Sequence, residues 1–465
     1  MLASATNPAL EESALYRASL EQPMSVLALG ITVGLMLLVF FRSRHVAVAA
    51  IVAAVCYLPQ TEVLNLGFHF YAVRLVLLTG IVRAFARSEN KGVKWGKIDR
   101  AILVYIGIIF FVAILRAPEE MTVRLGGLYD SLLGYFTFRC LVRDENDFRQ
   151  ALAKTAYVII PFALLMAYEC ATNRNSFSLF HGVAESSWIR AGKTRAQGPF
   201  RNPITAGSFG ATFAMLYASL FFSGLRKRSV ILGFLASALI VASSHSSGPF
   251  LGLALGILAF LCWRVRPKMK FVLWGIVALL VVLQLTMKVP IWFLIGRLSN
   301  VTGGGGYHRS MLIEQAVRHF DRWWLCGTVN TADWFPYEMN GKADITNWFI
   351  AAGVDAGVLG LFAAIGLVVA LFKTLAGGLA ANPERRMQKL LWGIGATLAG
   401  SLGILISVTY MDQMQIVWYF LLASSAALAV RPAFAPLTVL PDPLPERKRE
   451  RVGWREQLNS GNVAV

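Results

Sequence analysis

Residues 303–354 read GGGGYHRSMLIEQAVRHFDRWWLCGTVNTADWFPYEMNGKADITNWFIAAGV, the longest tract without a membrane-spanning pattern between the first and last hydrophobic segments. The tract holds a glycine run (Gly303 to Gly306), a short helical pattern carrying Arg309 and Arg318, and a group of aromatics with carboxylates. Consecutive backbone N–H groups can cradle an anion. The nucleotide P-loop pattern and its preceding strand are both missing, so a hinge before the Arg309 helix is the better reading. The flanking sequence is strongly apolar on both sides. The tract is therefore expected to be an outward-facing loop of a polytopic membrane protein.

Composition agrees with that expectation. Of 465 residues, 56% are hydrophobic and only 15% charged, where a soluble domain carries about 25% charged residues. The net charge of +18 would suggest a nucleic-acid partner in a soluble protein. Here the basic residues sit mainly in short loops between apolar runs, which is an orientation signal, and no nucleic-acid motif competes with it. A span needs about 20 apolar residues. Runs of that kind lie at 24–41, 45–60, 66–86, 99–116, 122–142, 150–170, 203–223, 229–245, 249–264, 270–288, 346–372, 390–409 and 414–430. The expected fold is all-α, with about 12–13 transmembrane helices. Arg74, Arg124 and Asp130 fall inside such runs, so they should face the bundle interior or reach an interface.

Basic residues crowd alternate turns: Arg42 and Arg44, the segment to Arg100, Arg139 to Arg149, Arg226 to Arg228, Arg264 to Lys270, Lys373 to Lys389, and the tail. Those turns are expected to be cytoplasmic, with a cytoplasmic C-terminus and the acidic tail 1–23 outside. The domain reading is then a membrane domain over 24–430 and a basic, proline-rich cytoplasmic extension over 431–465 near anionic headgroups. Residue 1 onward shows no basic n-region or small-residue cleavage site of a removable signal peptide. Only two outer loops are long, about 171–202 and 289–345. Most of the remaining basic residues gather there: Arg174, Arg190, Lys193, Arg195 and Arg201 in the first, with Lys288, Arg297, Arg309, Arg318, Arg322 and Lys342 in the second or at its edge. Guanidinium clusters suit a phosphate or diphosphate ligand through charge-assisted, often bidentate hydrogen bonds. The alternative for each is a solvated or snorkelling side chain.

Five cysteines without CxxC spacing give no metal or redox motif. Cys56, Cys140 and Cys262 read as packing residues, and a Cys170–Cys326 disulfide is left open. Trp323, Trp324, Trp334, Phe335 and Tyr337 read either as an interfacial belt or as platforms for sugar faces, and Trp348 as belt. Gly357 and Gly360 read as a close-packing face, and Asp355 as a residue facing a cavity or partner.

Four stretches, in order, resemble the O-antigen ligase and polymerase (Wzy-C type) superfamily of membrane glycan transferases. They are LYDSLLGYFTFRCLVRDENDFRQAL (128–152), RAQGPFRNPITAGSF (195–209), YHRSMLIEQAVRHFDRWWLCGT (307–328) and TNWFIAAGVDAGVLGLF (346–362). Together they cover roughly residues 100–430 and bracket the two long loops. The resemblance implies transfer of undecaprenyl-diphosphate-linked glycans at the periplasmic face of the inner membrane, by an inverting reaction without metal or cofactor. Polymerases extend a lipid-linked chain, whereas ligases pass the glycan to lipid A-core. By position, Arg309 with Arg195 or Arg201 would hold the diphosphate. The family's ligases place a histidine before the asparagine of the fourth motif. Here Thr346 precedes Asn347, and threonine is no general base at neutral pH. Ser247 likewise stands where members often carry arginine. Asp344 and His308 are the leading candidates for the base, with Glu314, Glu338 and His245 behind them. The absent histidine favours polymerase over ligase. A polysaccharide or lipid transporter, or a non-catalytic assembly partner working with export proteins, are the rivals of another class. Transporters commonly carry internal repeats and interrupted helices, and this sequence shows no repeat.

Overall fold

The computed structural model describes residues 22–65, 69–118, 121–190, 192–301, 306–331, 334 and 345–429. Asp344, Glu338, Phe335, Tyr337, the glycines 303–305 and the tail 431–465 lie outside the described residues. Among the described residues the structure is 76% helical, with five helices long and apolar enough to cross a membrane, which is compatible with an all-α membrane protein.

Each apolar run of the sequence carries a helix. In order these are α1 (Val26–Phe41), α2 (Arg44–Tyr57), α3 (Ala72–Ala86), α4 (Lys97–Arg116), α5 (Met121–Leu141), α6 (Glu145–Thr172), α7 (Pro203–Phe222), α8 (Arg228–Ser244), α9 (Ser247–Leu261) and α10 (Met269–Thr286). Three short helices follow, α11 (Phe293–Val301), α12 (Gly306–Arg318) and α13 (Phe320–Trp323). The last three are α14 (Trp348–Ala381), α15 (Arg385–Leu405) and α16 (Gln413–Ala429). Local chemistry starts them. Asp144 accepts from the Asp147 N–H to open α6, and Asn202 caps α7 ahead of Pro203 at its first turn.

Two small sheets depart from the all-helical expectation. Strands β1 (Gln22–Pro23), β2 (Glu62–Asn65) and β3 (His69–Tyr71) form one, taking residues read as part of the third span. Strands β4 (Trp188–Arg190) and β5 (Lys193–Arg195) form a hairpin, with Trp188 opposite Arg195 and Arg190 opposite Lys193.

α7 and α16 sit at the centre and are buried along most of their length. α10 is the reverse: it is apolar throughout and buries no residue, leaving Phe271 77% and Leu285 80% exposed. Water would not tolerate such a helix unpartnered, whereas lipid does. Backbones approach closely between α9 and α15, where a Cβ on Gly252 would fall 2.9 Å from the Gly400 carbonyl.

Charges inside the bundle are paired. Arg74 forks onto Asp130 at 2.7 and 2.6 Å, and Arg124 meets Asp355 at 3.3 Å. The basic turns gather at one end, where Arg139 binds Asp99 (2.8 Å), Arg44 binds Asp147 (3.0 Å) and Arg386 binds Glu145 (3.0 Å). There Arg83 also donates to the free carbonyls of Val39 and Arg42 at the end of α1 (both 2.6 Å). The long loops gather at the other end. Gln413 donates to the carbonyls of Leu58 and Pro199, and the His181 N–H donates to Glu62 at 2.9 Å.

α14 is not one continuous helix. Ala356 and Gly357 leave helical geometry, Gly357 with φ +67°. Residues 352 and 360 would lie ~12 Å apart along a straight helix, yet a Cβ on Gly360 would touch the Ala352 carbonyl at 2.2 Å. The first arm, 348–355, starts with Trp348 packed on Tyr105 and Trp418 and ends beside Arg116, the last residue of α4. The second arm, 358–381, runs back until Gly378 meets Ala429 at the end of α16. The expected span 346–372 is thus corrected to a short arm followed by the longer one. Gly357 and Gly360 do serve close packing, but at the bend itself.

Candidate functional site

Loop 173–202 is built around one buried carboxylate. Glu169, 1% exposed near the end of α6, accepts from Ser187 Oγ and from the N–H groups of Gln197 (2.9 Å) and Gly198 (2.8 Å). Three donors offset the cost of burying the charge. The β4–β5 hairpin then docks on the α8–α9 turn. The Ala196 N–H donates to Ser243 O at 3.1 Å, and Nδ1 of His245 donates to Thr194 O at 2.8 Å. That bond sets the His245 tautomer and ties the ring to the loop.

The docking brings guanidinium groups to the start of α9. Nη2 of Arg195 donates to Ser246 Oγ at 3.3 Å, and Ser246 makes no side-chain cap for its own helix. Arg309, in the first turn of α12, reaches the same place. A Cβ on Gly248 would sit 4.0 Å from its Nη1 and 3.5 Å from Ser407 Oγ. Burial, and then the fields of Arg190 and Arg195, push the Arg309 guanidinium down from its ordinary pKa. Burial and Arg190 do the same to Arg195. Arginine stays charged despite such shifts. Among the described residues, none of these three arginines has a carboxylate partner.

Two like charges therefore face the positive end of a helix dipole with a third close by, an arrangement unfavourable until an anion enters. Backbone N–H groups at a helix start and forked guanidinium donors are the two standard means of holding phosphate oxygens.

The other residues singled out in the sequence fall around this cluster. Asn347 caps α14: its Oδ1 accepts from Phe349 (3.0 Å) and Ile350 (3.1 Å), while Nδ2 donates to Ile406 O at 2.9 Å. Its amide thus clasps α14 to the residue before Ser407, which gives it a positioning role. The Thr346 carbonyl accepts from Thr409 Oγ1 at 3.0 Å in the same clasp. His308 is half-buried beside Arg309 on α12. Arg201 is exposed, just ahead of the Asn202 cap. Glu314 is committed elsewhere, accepting from Trp292 Nε1 (3.0 Å) and Arg318 Nε (2.8 Å). Trp348 lies in the core rather than in a belt. Trp323 and Trp334 are buried with Leu312, Ala316 and Val354, which leaves Trp324 as the exposed one. Cys170 and Cys326 are both free thiols.

From sequence Arg190 is one of the basic residues gathered in loop 171–202, with no diphosphate-binding role of its own. The signal lies in WIRAGKTR, whose short strand pair has a register that sets Arg190 opposite Lys193 at the end of the hairpin. Ser246, Gly248 and Ser407 were also passed over, because small residues in a turn carry no chemical mark of their own.

No known protein-family model matches this chain, and no curated protein matches it.

Proposed function

We propose that this protein polymerises undecaprenyl-diphosphate-linked glycan repeat units, of exopolysaccharide or O-antigen type, by inverting glycosyl transfer. The reaction is placed at the periplasmic face of the bacterial inner membrane. One observation carries the reading: Arg195 and Arg309 converge on the uncapped start of α9, with Arg190 near enough to repel both and no described carboxylate among them. A lipid diphosphate is an anion that this cluster fits, and it accumulates charge as it leaves. Fixed positive donors stabilise such a leaving group most where the charge develops.

In this reading Arg309, Arg195 and Arg190 hold the diphosphate, and Arg201 guides it from the rim. Asp344 or His308 takes the proton of the acceptor hydroxyl. Thr346 and Asn347 keep the start of α14 in register with Ser407. Two features support a polymerase over the ligase alternative: Thr346 replaces the ligases' histidine, and Asn347 is occupied as a cap. The bend of α14 is a feature shared with transporters, but it lies beside the ends of α4 and α5, whereas transporters break helices near the bilayer midplane.

The topology proposed with it has the thirteen apolar segments crossing the membrane, the long loops periplasmic and the C-terminus cytoplasmic. A reporter fused after Gly341 is expected to read as periplasmic and one after Arg228 as cytoplasmic; the opposite pattern refutes the orientation. The function itself is tested by the surface glycans of a deletion strain. Single repeat units accumulating on the lipid carrier are the expected result. Full-length unligated chains would indicate a ligase, and an unchanged glycan would remove the chain from this chemistry.

A further inference from the structure

The stretch CWRVRPKMK, residues 262–270, joins α9 to α10 and sets four cations beside a tryptophan between two strongly apolar runs. Its first seven residues form a 3₁₀ helix, Cys262–Lys268. Side chains three apart eclipse in that geometry, so Arg266 stacks on Trp263. The guanidinium lies 3.9 Å over the indole ring, and its Nη1 donates to Trp263 O at 3.1 Å. Trp263 is itself buried among rings from two other helices. It lies 5.7 Å from Phe222 at the end of α7 and 5.9 Å from Trp392 in α15, whose Nε1 donates to Ala259 O at 2.9 Å. Two further cations rest on the rings that end α7: Lys389 lies 5.3 Å over Phe222, and Arg226 lies 5.4 Å over Phe221.

A cation–π contact holds a charge in place without neutralising it, which leaves N–H donors for an anion. Pairing distinguishes this corner from the rest of the basic end, where Arg44, Arg139 and Arg386 each meet a carboxylate. Among the described residues, Arg226, Arg264, Arg266, Lys268, Lys270 and Lys389 meet none, and Glu384 at the start of α15 pairs with no cation. The surface that borders these cations is apolar. Leu261 and Val265 are exposed, and α10 continues it with Phe271 and Trp274, also exposed. A nucleic acid or an acidic peptide would cover the cations and leave that wall against water. A phospholipid with an anionic headgroup covers both, its phosphate oxygens on the cations and its acyl chains along α10.

We propose that the corner formed by the end of α7, segment 262–270 and the start of α15 binds an anionic phospholipid, with Arg266 and Lys389 as its principal phosphate ligands. The inference depends on the membrane reading alone and not on glycan transfer. The test is native mass spectrometry of the purified full-length protein in neutral detergent, with phosphatidylglycerol and phosphatidylcholine as probes. The wild type should prefer phosphatidylglycerol by about tenfold or more, the worth of one charge-assisted contact. Arg266→Gln with Lys389→Gln should lose most of that preference. Lys97→Gln with Arg100→Gln, which removes as many charges from α4, should keep it. Equal retention of the two lipids by the wild type would overturn the proposal, and so would equal loss of preference in the two double variants. Displacement of phosphatidylglycerol by glycerol 3-phosphate or by an oligonucleotide at equal concentration would overturn it as well. The wild-type arms need no substitution, so they decide the matter even where a variant is unstable.

Discussion

Arg309→Ala is expected to lower glycan chain growth by about 10²–10³-fold, the range seen when one fixed donor to a developing negative charge is removed. Stability should not fall with it. Arg309 is a partly buried cation whose described neighbours include Arg190 and Arg195 and no carboxylate partner, so its removal relieves repulsion. Without ligand, the unfolding temperature of the variant should equal or exceed that of the wild type, the pattern of a site strained for function. Adding inorganic pyrophosphate should raise the wild-type unfolding temperature, since a ligand that binds only the folded state stabilises it. The variant should respond far less. Arg309→Lys should recover little, because a point charge cannot fork onto two phosphate oxygens. Normal glycan lengths in the alanine variant would remove Arg309 from the site.

Gly357→Val should damage the fold itself. Gly357 has φ +67°, a region β-branched residues avoid, and a Cβ there would fall 2.3 Å from the Leu325 carbonyl. Backbone on both sides is committed. The Val358 N–H donates to Trp324 O and the Thr328 N–H to Val354 O, both at 2.8 Å. Arg116 Nη1 donates in addition to the carbonyls of Val354 and Asp355 at the end of the first arm, at 2.9 Å each. Segment 324–328 thus supplies the partners that a broken helix needs away from water. A valine would have to expel that segment, at a cost of about 3 kcal/mol from backbone strain alone. The segment continues from the helix that carries Arg309, so chain growth should fall along with the unfolding temperature in detergent. An unaltered unfolding temperature would mean that the bend is not held as described.

Much of the fold was legible in the sequence because hydrophobic length is a strong signal: every apolar run became a helix. Hydropathy is blind to backbone direction, however. The run 346–372 reads as one span because, Asp355 apart, Ala352 to Phe362 is apolar or small on both sides of the bend. Asn347 before an apolar run is an N-cap signal, and that reading competes with the chemical role suggested by motif position. The intramembrane charges were legible as interior, but their partners were not. Arg74 and Asp130 stand on α3 and α5 with the whole of α4 between them in sequence, and only packing joins them. The arginine cluster was half legible. Arg195 and Arg309 stand in motifs, whereas Arg190 is positioned by a hairpin register that no charge count reveals.

The most direct test of the diphosphate site is binding of undecaprenyl diphosphate, against undecaprenol as control, to the purified wild type and to Arg309→Ala. The wild type should bind the diphosphate and discriminate strongly against the alcohol, and the variant should lose at least about tenfold of that preference, one charge-assisted contact's worth. Equal affinity of both proteins for the diphosphate, or equal affinity of the wild type for diphosphate and alcohol, would contradict it.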